Sequence, residues 1–259
     1  MNPTNTSKYS RARFLAQTGA ALAGTLTAAR ILAAETAPSL RSAKSTANSK
    51  VKRWDVITIG NLSRNQYWGE PNDKAVRRVL CTCTLISGDG FRLLVDPSET
   101  EVADMARELD RRTGLKLADI TAVFVTHDHS DHWPGLVHFP EAQWMAGPGA
   151  AEILNKTGKL PRRVEPVTGK LFEAVEVLPT PGHTPSHHSL RFDCDGLSVI
   201  AAGDAIATHE FFRNRQNFYN ATDPKQGVAT MNKIAELADL IIPGHDNYFV
   251  SDSSKTAQG

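Results

Sequence analysis

The chain carries 259 residues, 41% hydrophobic and 22% charged, an ordinary globular composition sufficient for one large domain or two small ones. Its formal net charge is +1, and Lys8, Arg11, Arg13 and Arg30 near the start account for that sign. Without them the balance is about −3, which gives no reason to expect nucleic acid or an anionic membrane as a partner.

Residues 1–34 read as an export leader. Lys8, Arg11 and Arg13 precede Phe14-Leu15-Ala16, and a weakly apolar stretch rich in Ala, Gly, Thr and Leu runs to Ala33-Ala34. A basic start, an apolar middle and a small-residue end make a secretory signal peptide. Gln17, Thr18 and Arg30 leave the run too polar and too short for a transmembrane helix, so no stable membrane insertion is expected. Ser10-Arg11-Ala12-Arg13-Phe14-Leu15 resembles a twin-arginine signal with one Ala between the arginines. Cleavage near Ala34 implies an exported, periplasmic location. Residues 35–53, with almost nothing to bury, then form a flexible tether to a domain over residues 54–259. Cys81, Cys83 and Cys194 are odd in number, and the first two stand two apart on one strand face, so buried free thiols are expected.

Within the domain, residues 54–59 alternate as a strand, and residues 61–72 form a polar-aromatic loop holding Tyr67, Trp68 and Pro71. Residues 79–86 and 91–95 are strands joined at Ser87-Gly88-Asp89-Gly90. Ser98 and Glu101 have the spacing of a capping box. Val102, Met105, Ala106 and Leu109 give the next helix an apolar face, and Gly114 stops it. Residues 120–125, β-branched and aromatic, predict a buried strand. A short helix over 134–139, a strand over 143–146 and a helix over 148–156 with Pro in its first turn come next. Strands over 174–178, 189–192 and 197–201 precede a helix from Asp223-Pro224 to about Ala238, where Gln226 completes a second box, and a last strand at Leu240-Ile241-Ile242. This order, without internal repeat, suits two sheets packed face to face with helices outside.

Thr126-His127-Asp128-His129-Ser130-Asp131-His132 ends the strand over 120–125 with five ionisable side chains in six residues. Imidazole and carboxylate at this density suit zinc, iron or manganese. A polar loop whose histidines are solvated or cap local backbone stays open on this segment alone. Four more apolar runs end in ligand-type residues, at Asp96, at Pro181-Gly182-His183-Thr184, at Gly203-Asp204 and at Pro243-Gly244-His245-Asp246. Together with the 127–132 cluster, these turns hold five of the nine histidines. So many groups that are costly to bury, all at strand ends, call for a compensating metal.

The order Asp, His-x-His-x-Asp-His, His, Asp, His resembles the metallo-β-lactamase fold superfamily over residues 56–245. The resemblance implies a four-layered αββα sandwich with a dinuclear metal site at one edge. It implies His127, His129 and His183 for the first metal, Asp131, His132 and His245 for the second, and Asp204 between the two. Asp96 would stand behind them and orient ligand imidazoles. Its sequel here is Pro97-Ser98, where the family usually has Thr-Gly. Two divalent ions are implied, zinc first, with iron or manganese possible. In that family a hydroxide held between the metals attacks an electrophilic carbonyl, and Asp131 orients it or relays a proton to the leaving group.

Other nearby residues have plainer readings. His187 and His188 are expected to pack structurally, and Ser186 to fit a turn where the family often has Gly. His138 should be satisfied by a local hydrogen bond, and Asp128 and Ser130 carry no role. His209 and residues 211–219, with Phe211, Phe212, Arg213, Arg215, Phe218 and Tyr219, either rim the site or form a surface loop. The rim reading would suit an acyl or carboxylate-bearing substrate. Tyr67 and Trp68 present the same choice, as a flap or as surface.

Asp204 separates the chain from true β-lactamases, which lack an Asp at that place in the family pattern, and makes β-lactam hydrolysis the weaker expectation. Glyoxalase II-type thioesterases share the ligand set but add a helical domain after the position of His245. Lactonases often place a Tyr just after the bridging Asp, where this chain has Ala205-Ile206-Ala207. The expectation is therefore a metal-dependent hydrolase of a small-molecule ester, lactone or thioester. A persulfide dioxygenase-like enzyme with one iron is the alternative from another class.

Overall fold

A computed structural model describes residues 50–251. The expected leader, residues 35–49 of the expected tether and residues 252–259 lie outside the described residues.

The first sheet contains β1 (Val51–Thr58), β2 (Cys83–Gly88), β3 (Phe91–Val95), β4 (Ala122–Val125), β5 (Gln143–Ala146) and β6 (Glu165–Pro166), in that spatial order. The second contains β7 (Gly169–Leu171), β8 (Val175–Pro179), β9 (His188–Cys194), β10 (Leu197–Gly203), β11 (Leu240–Pro243) and β12 (Phe249–Val250), also each beside the next. Four α-helices accompany them among the described residues: α1 (Val102–Thr113), α2 (Pro148–Lys156), α3 (His209–Arg213) and α4 (Pro224–Leu237).

The layering follows from the two-residue period of strands buried on both faces. On β4, Ala122 and Phe124 join Leu93, Val95 and Met145 against Val177, Phe192, Val199 and Ala201 of the second sheet. Val123 and Val125 point the other way, onto Met105 and Leu109 of α1 and Leu154 of α2. On β10, Val199 and Ala201 face the first sheet, whereas Ile200 and Ala202 meet Met231, Ile234 and Ala235 of α4. The result is the αββα sandwich that the order of elements suggests.

Several local expectations are corrected. β1 begins at Val51, because that side chain is buried in the inter-sheet core and the residue pairs with Gly88. The box at Ser98 does not form: α1 starts after Glu101 with no side-chain cap, and the Ser98 hydroxyl is buried without a partner. The Pro97 carbonyl accepts the Gly135 N–H at 2.9 Å, which ties this segment to the 134–138 turn and delays the helix. Val102 is consequently exposed. At α4 half of the second box forms, since Asp223 accepts from Gln226 N–H while its own N–H donates to the Gly182 carbonyl. The short strands β6, β7 and β12 and the one-turn helix α3 escape periodicity because each is too brief to display it. All three cysteines are free and buried, as expected.

Candidate metal centre

Both sheets deliver their polar turns to one place because the strands that carry them share a direction. β3 runs parallel to β4, β10 runs parallel to β11, and two antiparallel pairings through β9 bring β8 into line with β10. Asp96, the 127–132 cluster, His183, Asp204 and His245 all follow the C-terminal ends of these strands. Asp96 turns the chain out of β3 with φ 51°, a left-handed conformation that Asp tolerates better than most residues.

The histidines are oriented from behind. His132 Nδ1 lies 2.9 Å from Asp96 Oδ2, and His245 Nδ1 lies 2.9 Å from the Leu80 carbonyl. His127 Nδ1 is 3.1 Å from the Thr126 hydroxyl, which itself donates to Asp96 Oδ2 at 2.7 Å. Each acceptor assigns a proton to Nδ1 and leaves Nε2 as the nitrogen that can ligate, once any proton it carries is displaced. Those Nε2 atoms turn inward, and on His127 and His132 they are buried without a hydrogen-bond partner. Outward N–H bonds and inward lone pairs are the arrangement that metal-binding histidines adopt.

Asp204 stands between them. Its Oδ2 lies 3.2 Å from His183 Nε2 and 3.9 Å from His127 Nε2, while its Oδ1 lies 3.1 Å from His245 Nε2 and 3.3 Å from His132 Nε2. His183 Nε2 also meets His129 Nδ1 at 2.9 Å, and Asp131 Oδ2 is 3.5 Å from His245 Nε2. Gly244 permits the approach, since a Cβ there would meet Asp204 Oδ1 at 2.0 Å. Two donor groups result, His127, His129, His183 and Asp204, and Asp131, His132 and His245, each with donor atoms within 4.8 Å of one another. Metal–ligand bonds of about 2.1 Å in a tetrahedron place donors about 3.4 Å apart, so both groups fit a divalent ion such as zinc. Cys81, Asp96 and His132 also converge, but the buried Cys81 thiol is pushed up to about 12 by desolvation, and ligation requires a thiolate. The Asp96 carboxylate is already engaged by Thr126 and His132.

The charges agree with this fit. Burial lowers the pKa of His127 well below its ordinary value and brings His183 to about 4, which leaves both neutral and able to ligate. Burial also lowers His132 and His245, but the Asp204 and Asp96 carboxylates outweigh it for His132, and Asp204 does for His245, so both end raised. Desolvation would raise Asp204, yet His245, His132 and His183 together hold it well below the usual carboxylate range. A raised pKa means protons bound near neutral pH that an incoming cation must displace. Zinc binding to the metal-free protein should therefore release protons and tighten as pH rises from 6 to 8. Calorimetry in buffers of different ionisation enthalpy measures that release, and binding without it would contradict the assignment.

Residues 76–245, more than half of the chain, match the family model of the Metallo-beta-lactamase superfamily. The chain belongs to this superfamily. Metallo-beta-lactamase domain-containing protein 1 of Xenopus laevis is 32% identical over 170 residues, covering 62% of this chain and 69% of that protein. An N-acyl homoserine lactonase from Bacillus sp. is 25% identical over 192 residues, covering 69% and 74%. A hydroxyacylglutathione hydrolase of a Polaromonas strain is 31% identical, covering 60% and 62%. Curated relatives are matched over 47% to 74% of their own lengths. Among solved structures, AiiA of B. thuringiensis with N-decanoyl-L-homoserine bound superposes with a TM-score of 0.60 at 22% identity, covering 76% of this chain and 94% of that one. That likeness speaks for the fold alone. The superfamily consists mostly of hydrolases and commonly binds two divalent metals, and this chain presents candidate groups for them.

The other residues singled out in the sequence separate clearly in this metallo-β-lactamase fold. His187 packs as expected: its Nε2 accepts the Ala205 N–H at 3.3 Å, which assigns the proton to Nδ1, 2.8 Å from the Thr180 hydroxyl. His188 bonds the Ser186 carbonyl, and His138 bonds the Glu99 carbonyl. The Ser186 hydroxyl donates to Asp128 Oδ1 at 3.4 Å. His209 opens α3 and stacks on Phe249 at 4.4 Å, and Phe211 and Phe212 are buried, so residues 209–213 form a packed helix, while residues 214–219 follow as turn and loop. Arg215 donates to Asn232 of α4 and lies over the Phe212 ring, while Arg213 is exposed. The Tyr67 hydroxyl donates to Gln216 at 2.5 Å and the Trp68 indole to Glu210 at 3.0 Å, so the early loop and the α3 segment form one continuous wall. Sequence reasoning passed over Thr126, whose N–H and hydroxyl hold Asp96; its place between an apolar strand and the first ligand was the available signal.

Proposed function

We propose that this protein hydrolyses an ester, lactone or thioester of a small molecule with the help of two divalent cations, zinc first among them. The division of Asp204, one oxygen toward each donor group, is the observation that carries the reading. The relatives named as a homoserine lactonase and a hydroxyacylglutathione hydrolase support the bond class.

Cations bound there supply Lewis acidity and a water that ionises near pH 7. Everything else falls to the chain. His127, His129 and His183 would hold one ion, Asp131, His132 and His245 the other, and Asp204 would be shared. Asp96, Thr126 and the Leu80 carbonyl keep the imidazole lone pairs aimed inward. Asp131 is the carboxylate of the set that solvent reaches, its side chain 20% exposed against 6% for Asp204. It is placed to orient the attacking water and to pass a proton to the leaving group. The leader-like sequence supports an exported, periplasmic enzyme.

Metal analysis with a panel of lactones, thioesters and β-lactams tests the reading. Two zinc-like ions per chain with acyl hydrolysis is the expected result. One iron per chain with oxygen consumption would instead establish the oxygenase alternative. Asp131→Ala should lower turnover roughly 10²–10⁴-fold with unchanged circular dichroism. Full activity in that variant would remove Asp131 from the mechanism.

A further inference from the structure

The loop between β1 and β2 holds a cation without an anion. Arg64 is 8% exposed, and its Nε is buried with no hydrogen-bond partner. Among the described residues its guanidinium enters no hydrogen bond and no ion pair, and its close neighbour is the Tyr219 ring, whose centroid lies 3.8 Å from Cζ. The carboxylates of the same wall are committed elsewhere. Glu70 pairs with Arg77 and accepts the Asn65 N–H at 2.6 Å, and Glu210 accepts from the Trp68 indole and, at 2.6 Å, from the Thr208 hydroxyl.

Nε is closed off from water and unpaired, a costly state that arginine cannot escape by shedding its proton, while Nη1 and Nη2 stay open to an incoming partner. An aromatic ring attracts the cation but accepts none of its five N–H bonds in the ordinary way. Such a group is stabilised by a planar anion that arrives from outside and takes two parallel N–H bonds.

Its position ties it to the candidate metal centre from both sides. Leu62, two residues earlier, packs with Ala207 and Phe211, and the Ala207 carbonyl accepts the His245 N–H at 2.8 Å. Tyr219 lies three residues before Thr222, whose N–H and hydroxyl both donate to the His183 carbonyl, at 2.9 and 3.0 Å. The chain around the Arg64–Tyr219 contact is therefore anchored, within two residues on one side and three on the other, to segments bonded to the backbone of His245 and of His183.

We propose that Arg64 is a specificity-determining residue that binds a carboxylate on the substrate, so that the preferred substrate is an anionic acyl compound. This inference rests on the hydrolase reading above. It also moves the carboxylate anchor away from Arg213 and Arg215, one exposed and the other turned onto α4.

The test uses the zinc-loaded protein and two thioesters of one thiol, succinyl and butyryl, which differ by a terminal carboxylate. The wild type should favour the succinyl compound, and in Arg64→Gln the ratio of the two kcat/KM values should fall about 10- to 100-fold, the range for hydrogen bonds to a charged group. No preference in the wild type, an unchanged ratio in the variant, or an equal loss on both substrates would overturn the proposal. Should Arg64→Gln fail to fold, Arg64→Lys keeps the charge and stem but not the fork, and a smaller fall in the same ratio is expected; an unchanged ratio again counts against the site. Calorimetric titration with glutarate and with acetate gives a readout independent of turnover. The advantage of glutarate should shrink at least tenfold in the variant. If that advantage is lost while neither thioester is cleaved, nor any ester or lactone of the panel above, the anion site stands and the hydrolase reading fails. Cleavage of both without discrimination has the opposite meaning.

Discussion

Asp204→Asn should lower turnover by roughly 10³-fold or more, about 4 kcal/mol of transition-state stabilisation, and bring the metal content below two ions per chain. The substitution keeps the volume of the side chain and removes its charge from the centre of both donor groups. His183 and His127 lose an anion at 3.2 and 3.9 Å on one side, and His245 and His132 lose one at 3.1 and 3.3 Å on the other. An amide presents one acceptor oxygen and a pair of N–H donors, so it cannot offer an oxygen to each side. The remaining imidazoles are then four buried bases with no shared counter-charge. Elemental analysis and steady-state kinetics on the same preparation measure both effects. A variant that retained two ions and full turnover would show that Asp204 does not link the two groups.

Gly182→Ala should destabilise the fold by about 2–6 kcal/mol and weaken metal binding as well. Gly182 has φ 134°, a region open essentially to glycine, and a Cβ there would meet the Gly227 Cα at 2.3 Å and its nitrogen at 2.4 Å. Both are backbone atoms of α4 and cannot swing aside. The backbone around Gly182 must move, with overpacking and conformational strain each contributing about 1–3 kcal/mol. For a domain of this size that corresponds to a fall in Tm of roughly 5–15 °C. His183 is the next residue, so the displacement reaches the first donor group directly. Gly90→Ala is the control: φ is 81°, yet nothing lies within 4 Å of the added carbon, so only the backbone term of about 1 kcal/mol applies. Thermal unfolding of metal-free and zinc-loaded protein separates the two contributions. Similar Tm values for the two variants would refute the steric argument.

Legibility in the sequence followed the length of the pattern. Residues 120–125 and 197–201 announce buried strands because their side chains face a core on both sides, and the structure places Phe124 and Val123, or Val199 and Ile200, on opposite faces of their sheets. The bounds of β3, β5 and α2 agree with the residues predicted, since turns and Pro148 punctuate them. Ser98 misled because a capping box describes only the local chain, and the Gly135 N–H takes the Pro97 carbonyl from 38 residues away. The α3 stretch looked like a loop because its burial depends on Leu62 and Tyr67, which belong to a distant segment.

By itself the sequence determined which residues stand at strand ends, because apolar runs must be buried and Gly, Pro and Asp stop them. It thereby determined that imidazoles and carboxylates end several strands of one domain. Only the tertiary structure decided how they are shared. The parallel direction of β3 and β4, and of β10 and β11, brings turns more than a hundred residues apart into contact, and the Asp204 carboxylate then lies between His183 and His245. The structure alone also distinguished the arginines: Arg64, in the polar-aromatic loop over residues 61–72, is buried without an anion, because Tyr219 lies over it and the neighbouring carboxylates already have partners.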